Sequence, residues 1–444
     1  MIVGKGARED ALVGAHERSP DVRKIIVAPG NDFIAHDREK EVVLEPIAAL
    51  DDVGGMLEIA DRHQPDIIEI GPEAALAAAA TDELRERGFN VFGPGYEAAI
   101  IEWDKVYSRR FMLRNDIAAP RFETFGHLSH YHDAARPEEA RQYAATRFDV
   151  DPRTVLYFKA AGICDGKGAL KAGGFDKSID RISQMESFGG AGRAFVVEDA
   201  VEGEEFSYYA VTDGSEYLTF KSAQDNKRSH DGDAGEQTGG MGAVAPALVT
   251  EGLEQRIERE QIVPAIEGLA GEERRFEGML YLGAILTPSG QIINIEYNAR
   301  WGDPEAQVIV PGIQSDYIEL IRAATERGLS HYRLKQDDLT RVCVVGATKG
   351  YPGAYETGYE ITGLQRASEV EGVDIFGSAV AVRDGRFYND GGRLFSVVGA
   401  GKDVIEAREK AYEAMSYIAV AGDNLHYRTD IGQRDVNRLA RTEA

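Results

Sequence analysis

Over residues 1–95, short apolar runs alternate with amphipathic ones. "KIIVAPGN" and "PDIIEIGPE" read as strands, and "LDDVGGMLEIADRHQ" and "AALAAAATDELRERG" as helices, before "NVFGPG" closes the segment. A chain that returns through a helix after each strand lays its strands parallel. The pattern therefore predicts a doubly wound α/β sheet that binds ligands at the strand carboxyl ends. Three of those ends carry Gly or Pro beside a polar residue: Gly4 to Gly6, then Pro29, Gly30 and Asn31, then Gly71, Pro72 and Glu73. They are expected to line one crevice.

The pattern then changes. "EAAIIEWDKVYSRRFMLRN" predicts one long helix, and "TVLYFKAAGICDGKGALKAGG" reads as strand, glycine-rich loop, strand. "AFVVEDAVEGEEFSYYAV" and "EGMLYLGAIL" add strands of antiparallel character, and a last group of strands is closed by the amphipathic helix "KDVIEAREKAYEAMSYI". The expected division is an N-terminal α/β unit over 1–98, a central unit over 99–325 with a subdomain at about 122–192, and a small C-terminal α+β unit over 326–444. A length of 444 residues suits several cores.

Composition excludes some classes. No apolar run approaches the roughly 20 residues of a membrane span, and "MIVGKGARED" has no secretory pattern, so a cytoplasmic protein is expected. Net charge is -25, from 75 acidic against 50 basic residues, which argues against nucleic acid or anionic membrane as a partner. Only 14 of the basic residues are Lys. Acid excess with scarce Lys suits a salt-rich cytoplasm, and equally a merely acidic protein from a high-GC genome. Cys164 and Cys343 form no metal or disulfide spacing. His127, His130 and His132 lie close in sequence but lack further ligands nearby, and read as an exposed insertion.

Three motifs carry chemistry. In "IEYNARWGDPEAQ", Glu296 and Asn298 lie two apart on a strand and so face one side, offering a carboxylate and an amide oxygen to a hard cation. "GICDGKGAL" supplies backbone N–H groups for phosphate oxygens and Lys167 as a point charge. It is not a P-loop, because no helix with Ser or Thr follows. In "VVEDAVEGEEFS", Glu198 ends an apolar strand and Glu205 follows a turn. Such a linker can serve adenine and ribose, or be a plain hairpin with solvated acids.

Taken in order, Lys105, Lys159 with its glycine loop, the "VEDAVEGEEFS" linker, "QDNKR", "TGGMGAVAP" and "IEYNARWGDPEAQ" resemble the ATP-grasp superfamily, and within it the phosphoribosylamine–glycine ligases. "GAREDAL", "VAPGN", "IGPE" and "VFGP" resemble the N-terminal domain of that family, and "GYPG", "GGRLFSV" and "DIG" its C-terminal domain. The resemblance implies a central ATP-grasp fold acting as a monomer with ATP and Mg²⁺ or Mn²⁺. Its implied reaction joins glycine to 5-phosphoribosylamine through glycyl phosphate. It implies metal ligation by Glu296 and Asn298. Lys105, Lys159, Gly166, Lys167, Gly168, Glu198, Val201 and Glu205 would hold the nucleotide, with the glycine loop as a lid. Arg300, Asp225 and Lys227 would serve catalysis, Arg300 as a fork for carboxylate or phosphoryl oxygens and Asp225 against the glycine ammonium. Gly239, Gly240, Met241 and Gly242 would bracket a phosphate. Asp303 and the N-terminal crevice, with Gly4, Gly6, Pro29, Gly30, Asn31, Gly71, Pro72 and Glu73, would hold phosphoribosylamine.

The chain also departs from the family pattern. Where that pattern resembles "GxGGREHAL", Ala7 and Asp10 stand for Gly and His. Asp165 enters the glycine loop, Asn226 replaces His in "QDHKR", and "PEAPL" becomes "PEAAL". Phosphoribosylamine binding is the function most exposed to Ala7 and Asp10, while Asp165 puts a negative charge beside the expected polyphosphate.

Overall fold

Strand–helix alternation has its expected result. In this computed structural model, which describes residues 1–127, 134–164 and 168–442, the N-terminal strands form a five-stranded parallel sheet. Its order is Glu41–Leu44, Lys24–Pro29, Ile2–Gly4, Ile68–Ile70, Val91–Phe92. Both faces are covered, so Ile2 and Val3 are fully buried on opposite sides. Ile2 joins the cluster of Leu12 from helix Ala7–Arg18, and Val3 that of Met56 and Ile59 from helix Val53–His63. The strand order turns at Ile2–Gly4, which places the ends of the three central strands around one crevice.

Two expected helices are broken. "AALAAAATDELRERG" forms Glu73–Ala77 and Ala80–Glu86, separated by Ala79 at φ 62. An alanine run favours helix at every position and so carries no mark of where packing redirects it. The long helix is in fact Tyr96–Trp103 and Lys105–Arg114. Asp104 between them is extended, and its Oδ1 accepts the Val106 and Tyr107 N–H groups at 2.9 and 3.0 Å, an N-cap hidden in a helical run. The boundary expected after residue 98 falls inside the first of these helices.

The central segment builds two antiparallel four-stranded sheets. One has the order Phe122–Phe125, Phe195–Asp199, Leu156–Ala160, Ala169–Ala172; helices Pro137–Val150 and Phe175–Met185 contribute to the same core cluster. The other has the order Tyr217–Thr219, Glu204–Thr212, Gly278–Leu286, Ile292–Asn298. A third sheet joins Gln224–Asp225 and Gly242–Ala245 to Thr340–Thr348, Arg393–Gly401 and Val373–Gly377. It runs across the boundary expected at 325, because "GAVA" pairs its edge with a C-terminal strand. Among the described residues no helix is long and apolar enough to cross a membrane.

The N-terminal and C-terminal units meet at Asp10. Its carboxylate is wholly buried, accepts the Gly377 N–H at 2.6 Å and pairs with Arg38. Burial pushes this carboxyl up to about 6 although Arg38 and the Gly377 N–H pull it down. The departure at position 10 thus has a structural partner. Replacing Asp10→His sets a ring against Arg38 and removes the nearer of its two counter-charges, Glu17 remaining at 3.6 Å, a loss of about 3 kcal/mol by the cost of breaking a buried pair. Thermal unfolding should show it, and the double variant Asp10→His with Arg38→Leu should recover most of the loss.

Candidate active site

The three units enclose one cavity of about 810 Å³. Strand Ile292–Asn298 forms the edge of its sheet, and Glu296 and Asn298 both line the space. Burial pulls the Glu296 carboxyl up, but Lys227, Lys159, Lys105 and Arg300 together hold it below its ordinary value. The Asn298 Oδ1 accepts from Arg300 at 3.3 Å, while its buried Nδ2 has no partner. Among the described residues no three His, Cys, Asp or Glu side chains gather as a metal cluster. The pair still fits Mg²⁺ or Mn²⁺, since an ion that takes its other oxygens from phosphate and water needs only one or two protein ligands.

Around this strand, cations and carboxylates interlock. Glu198 is buried between Arg109, whose Nε lies 2.6 Å away, and Lys159, whose Nζ lies 2.8 Å away. Burial opposes the ionised form of Glu198, yet these two cations hold it down to about 2. Burial lowers Lys159, with Glu198 opposing. Arg109 also donates to the Ile295 carbonyl at 2.5 Å, which ties helix Lys105–Arg114 to strand Ile292–Asn298. The Glu198 carboxylate, expected to help hold the nucleotide, lines the cavity and is paired with two cations, whose charge would otherwise be uncompensated. Val201 and Glu205 stand outside the lining, and Glu205 is exposed at the start of its strand.

Arg300, also on the cavity wall, is engaged by carboxylates in the same way. Its guanidinium is not an open fork: Glu102 lies at 2.8 Å, Glu73 at 3.3 Å, and it donates to the Trp301 carbonyl at 3.1 Å. Glu73, expected to face a ligand, holds this arginine. Burial opposes the charge on Arg300, and Glu102 and Glu73 more than restore it, so its pKa lies above the usual range. Lys227 sits 3.9 Å from both Asp225 and Glu296. Burial, reinforced by Glu305, Glu205 and Glu296, raises Asp225 to about 7 against the pull of Lys227.

The glycines and amides of the crevice prove more structural than expected. A Cβ on Gly4 or Gly71 would come within 2.4 Å of the Glu9 side chain, so both glycines make room for that carboxylate. The Gly6 N–H donates to Glu9 at 2.7 Å. Asn31 gives its amide hydrogens to the carbonyls of Lys5 at 2.8 Å and Gly377 at 3.1 Å, and its oxygen accepts from Phe33 and Ile34. Gly30 and Pro72 line the cavity; Pro29 and Gly71 do not.

The phosphate bracket expected at Gly239–Gly242 is likewise spent within the protein. Gly239 donates to the Tyr351 hydroxyl, Gly240 to Thr238 and Met241 to the Asn226 carbonyl, while Gly242 belongs to the third sheet. Of these four only Gly239 reaches the lining. Asp303 lines it too, paired at 2.9 Å with Arg393. Lys105 and Gly168 are on the wall, whereas Gly166, Lys167 and Asp165 lie outside the described residues.

Sequence reasoning missed Glu102, Arg109, Glu305 and Arg393, all on the wall. Arg109 was accessible, being four residues after Lys105 on the same helix face. Arg393 was not, because its partner is distant in sequence.

Three family models match in succession: the phosphoribosylglycinamide synthetase N domain over 1–102, its ATP-grasp (A) domain over 103–306 and its C domain over 341–434. The chain belongs to the phosphoribosylglycinamide synthetase family. It is 37% identical over 441 residues to a phosphoribosylamine–glycine ligase of Chlorobaculum tepidum, covering 98% of this chain and 99% of the relative. It is 34% identical to that of Vibrio parahaemolyticus, covering 99% and 98%. The crystal structure of phosphoribosylamine–glycine ligase from Thermotoga maritima superposes with a TM-score of 0.79 at 30% identity, covering 97% of this chain and 98% of that one. A biotin carboxylase complex from Campylobacter jejuni, at 13% identity, TM-score 0.68 and coverage of 96% and 92%, shares the fold alone. The α/β class with a parallel N-terminal sheet and a central ATP-grasp fold thus holds for this member of the phosphoribosylglycinamide synthetase family.

The ion triad makes a prediction for this family member. Glu198→Gln leaves Arg109 and Lys159 without their counter-charge, a loss of about 3 kcal/mol by the cost of halving a buried pair. Chemical denaturation should register the loss. The double variant Glu198→Gln with Arg109→Met should regain part of it.

Proposed function

We propose that this cavity joins glycine to 5-phosphoribosylamine at the expense of ATP, giving glycinamide ribonucleotide, ADP and phosphate. The reading rests on family membership together with one geometric observation. Glu296 and Asn298 share a cavity with Lys105, Lys159 and Lys227, and that cavity is walled by the N-terminal and C-terminal units.

A carboxylate is a poor electrophile, so glycine is activated first. One oxygen of its carboxylate attacks the γ-phosphorus of ATP, the bond to the bridging oxygen breaks, and ADP leaves with that electron pair. The amine of phosphoribosylamine then attacks the glycyl phosphate carbonyl, phosphate departs, and the nitrogen loses a proton. Such transfer needs positioning and charge neutralisation more than covalent help.

Lys105 and Lys159 would meet the triphosphate. Glu296 and Asn298 would hold Mg²⁺ or Mn²⁺, which neutralises phosphate charge when bound. Asp225 would take the glycine ammonium. Arg300, gripped by Glu73 and Glu102, presents its remaining N–H surface to the cavity as a fixed positive wall. The active unit would be a monomer. The departures Ala7, Asp10 and Asn226 do not redirect this reading, since they lie off the cavity wall.

ADP release tests the proposal: it should require ATP, a divalent ion and glycine, and rise when phosphoribosylamine is supplied. Indifference to phosphoribosylamine rejects the reading. Glu296→Ala should lower turnover about 100-fold or more, by the usual weight of a charge-neutralising group. Asp225 gives a pH dependence. The ammonium needs the ionised carboxylate, whose pKa is raised to about 7. Accordingly kcat/KM for glycine should be full above pH 7 and fall as pH drops through it. Asp225→Asn should abolish that limb.

A further inference from the structure

Nearly every cation on the cavity wall is committed to a carboxylate. Arg8 pairs with Glu9, Arg109 and Lys159 with Glu198, Arg300 with Glu73 and Glu102, and Arg393 with Asp303; Lys227 sits between Asp225 and Glu296. Among the described lining residues two ammonium groups have no ion pair, Lys105 and Lys5. They belong to opposite parts of the cavity. Lys105 neighbours the metal-facing strand, where it acts on Glu296. Lys5 lies in the turn between strand Ile2–Gly4 and helix Ala7–Arg18.

We infer that Lys5, with the Ser378 hydroxyl of the C-terminal unit, is the subsite for the phosphate monoester of the ribosyl substrate. This rests on the ligase reading and deepens it. The Lys5 backbone is fixed from across the crevice, because Asn31 donates to its carbonyl at 2.8 Å and to that of Gly377 at 3.1 Å. The same amide therefore sets the spacing between Lys5 and the turn that carries Ser378. Ser378 lines the cavity, and its Oγ lies 3.9 Å from where a Cβ on Gly6 would stand. The acids of this wall are mostly engaged: Asp32 accepts the Val382 N–H at 2.8 Å, and Asp303 holds Arg393. Asp390 remains, an acceptor suited to sugar hydroxyls. A free ammonium and a hydroxyl on two facing units give a phosphate monoester a charged contact and a donor, and leave the rest of the molecule directed at the metal-facing strand.

Calorimetric titration with ribose 5-phosphate, in the presence of ATP and Mg²⁺ and without glycine, tests the assignment. Lys5→Ala should weaken binding about 10- to 100-fold, the range of a charge-assisted contact. Lys5→Arg should restore most of it, and Ser378→Ala should weaken it less. Ribose should not bind measurably. KM for phosphoribosylamine should rise in Lys5→Ala while KM for ATP and glycine hold. Lys5 is exposed, so its variants should melt as the parent does. Unchanged ribose 5-phosphate affinity and unchanged KM in Lys5→Ala overturn the subsite. Inorganic phosphate competing as tightly as the ester would assign it to free phosphate and overturn it as well. Absence of phosphoribosylamine-dependent turnover in the parent protein would instead overturn the ligase reading, and is measured separately.

Discussion

A cavity that gathers several anionic ligands must collect cations, and cations collected in a low-dielectric space repel one another before any ligand arrives. Here the repulsion is met by assigning a carboxylate to nearly every one. Glu198 holds Arg109 and Lys159, Glu73 and Glu102 hold Arg300, and Asp303 holds Arg393. The pairs join different parts of the chain. Glu73 belongs to the N-terminal unit and Arg300 to the loop after strand Ile292–Asn298; Asp303 and Arg393 link that loop to the C-terminal unit. Removing one member of such a pair costs more than the pair contributes, since the remaining charge stays buried. The same contacts therefore hold the units together and fix the geometry of the site.

This arrangement explains why so many groups expected to touch ligand also bond to protein. Glycines at the strand ends were read as space for a substrate, yet at Gly4 and Gly71 that space holds the Glu9 carboxylate. Asn31 was read as a ligand contact, and it is a strut between Lys5 and Gly377. A residue type suited to binding is equally suited to fixing a neighbour, because both roles use the same donors and acceptors. Spacing in sequence cannot tell them apart. Only the third dimension shows which hydrogen bonds are already made.

The fold was largely legible. Period and alternation announced the parallel sheet, and the shared side of Glu296 and Asn298 followed from a strand's two-residue repeat. What escaped was local termination inside favourable helix, as at Asp104 and Ala79, and pairing across long separations, as between Gly242–Ala245 and Thr340–Thr348. The cavity wall was legible where spacing is local, in Glu296 with Asn298 and in Asp225 with Lys227, all of which line it. It was not legible where a charge depends on a distant partner, as with Arg393. Partners of that kind are chosen by packing, and no local pattern records them.

Position 10 shows how a departure from a family pattern should be weighed. In sequence, an acid in place of a histidine beside a substrate-facing turn suggests altered binding. In three dimensions the Asp10 carboxylate points away from the cavity wall, toward Arg38 and the Gly377 N–H. Its burial would be unfavourable alone, as the raised pKa shows, and Arg38 compensates. Substitution and partner form a unit, one side on the first helix and the other on the loop that packs against the C-terminal strand. That loop also carries Asn31, which fixes the backbone of Lys5. The change at position 10 therefore belongs to the frame behind the cavity, without a direct contact to its wall.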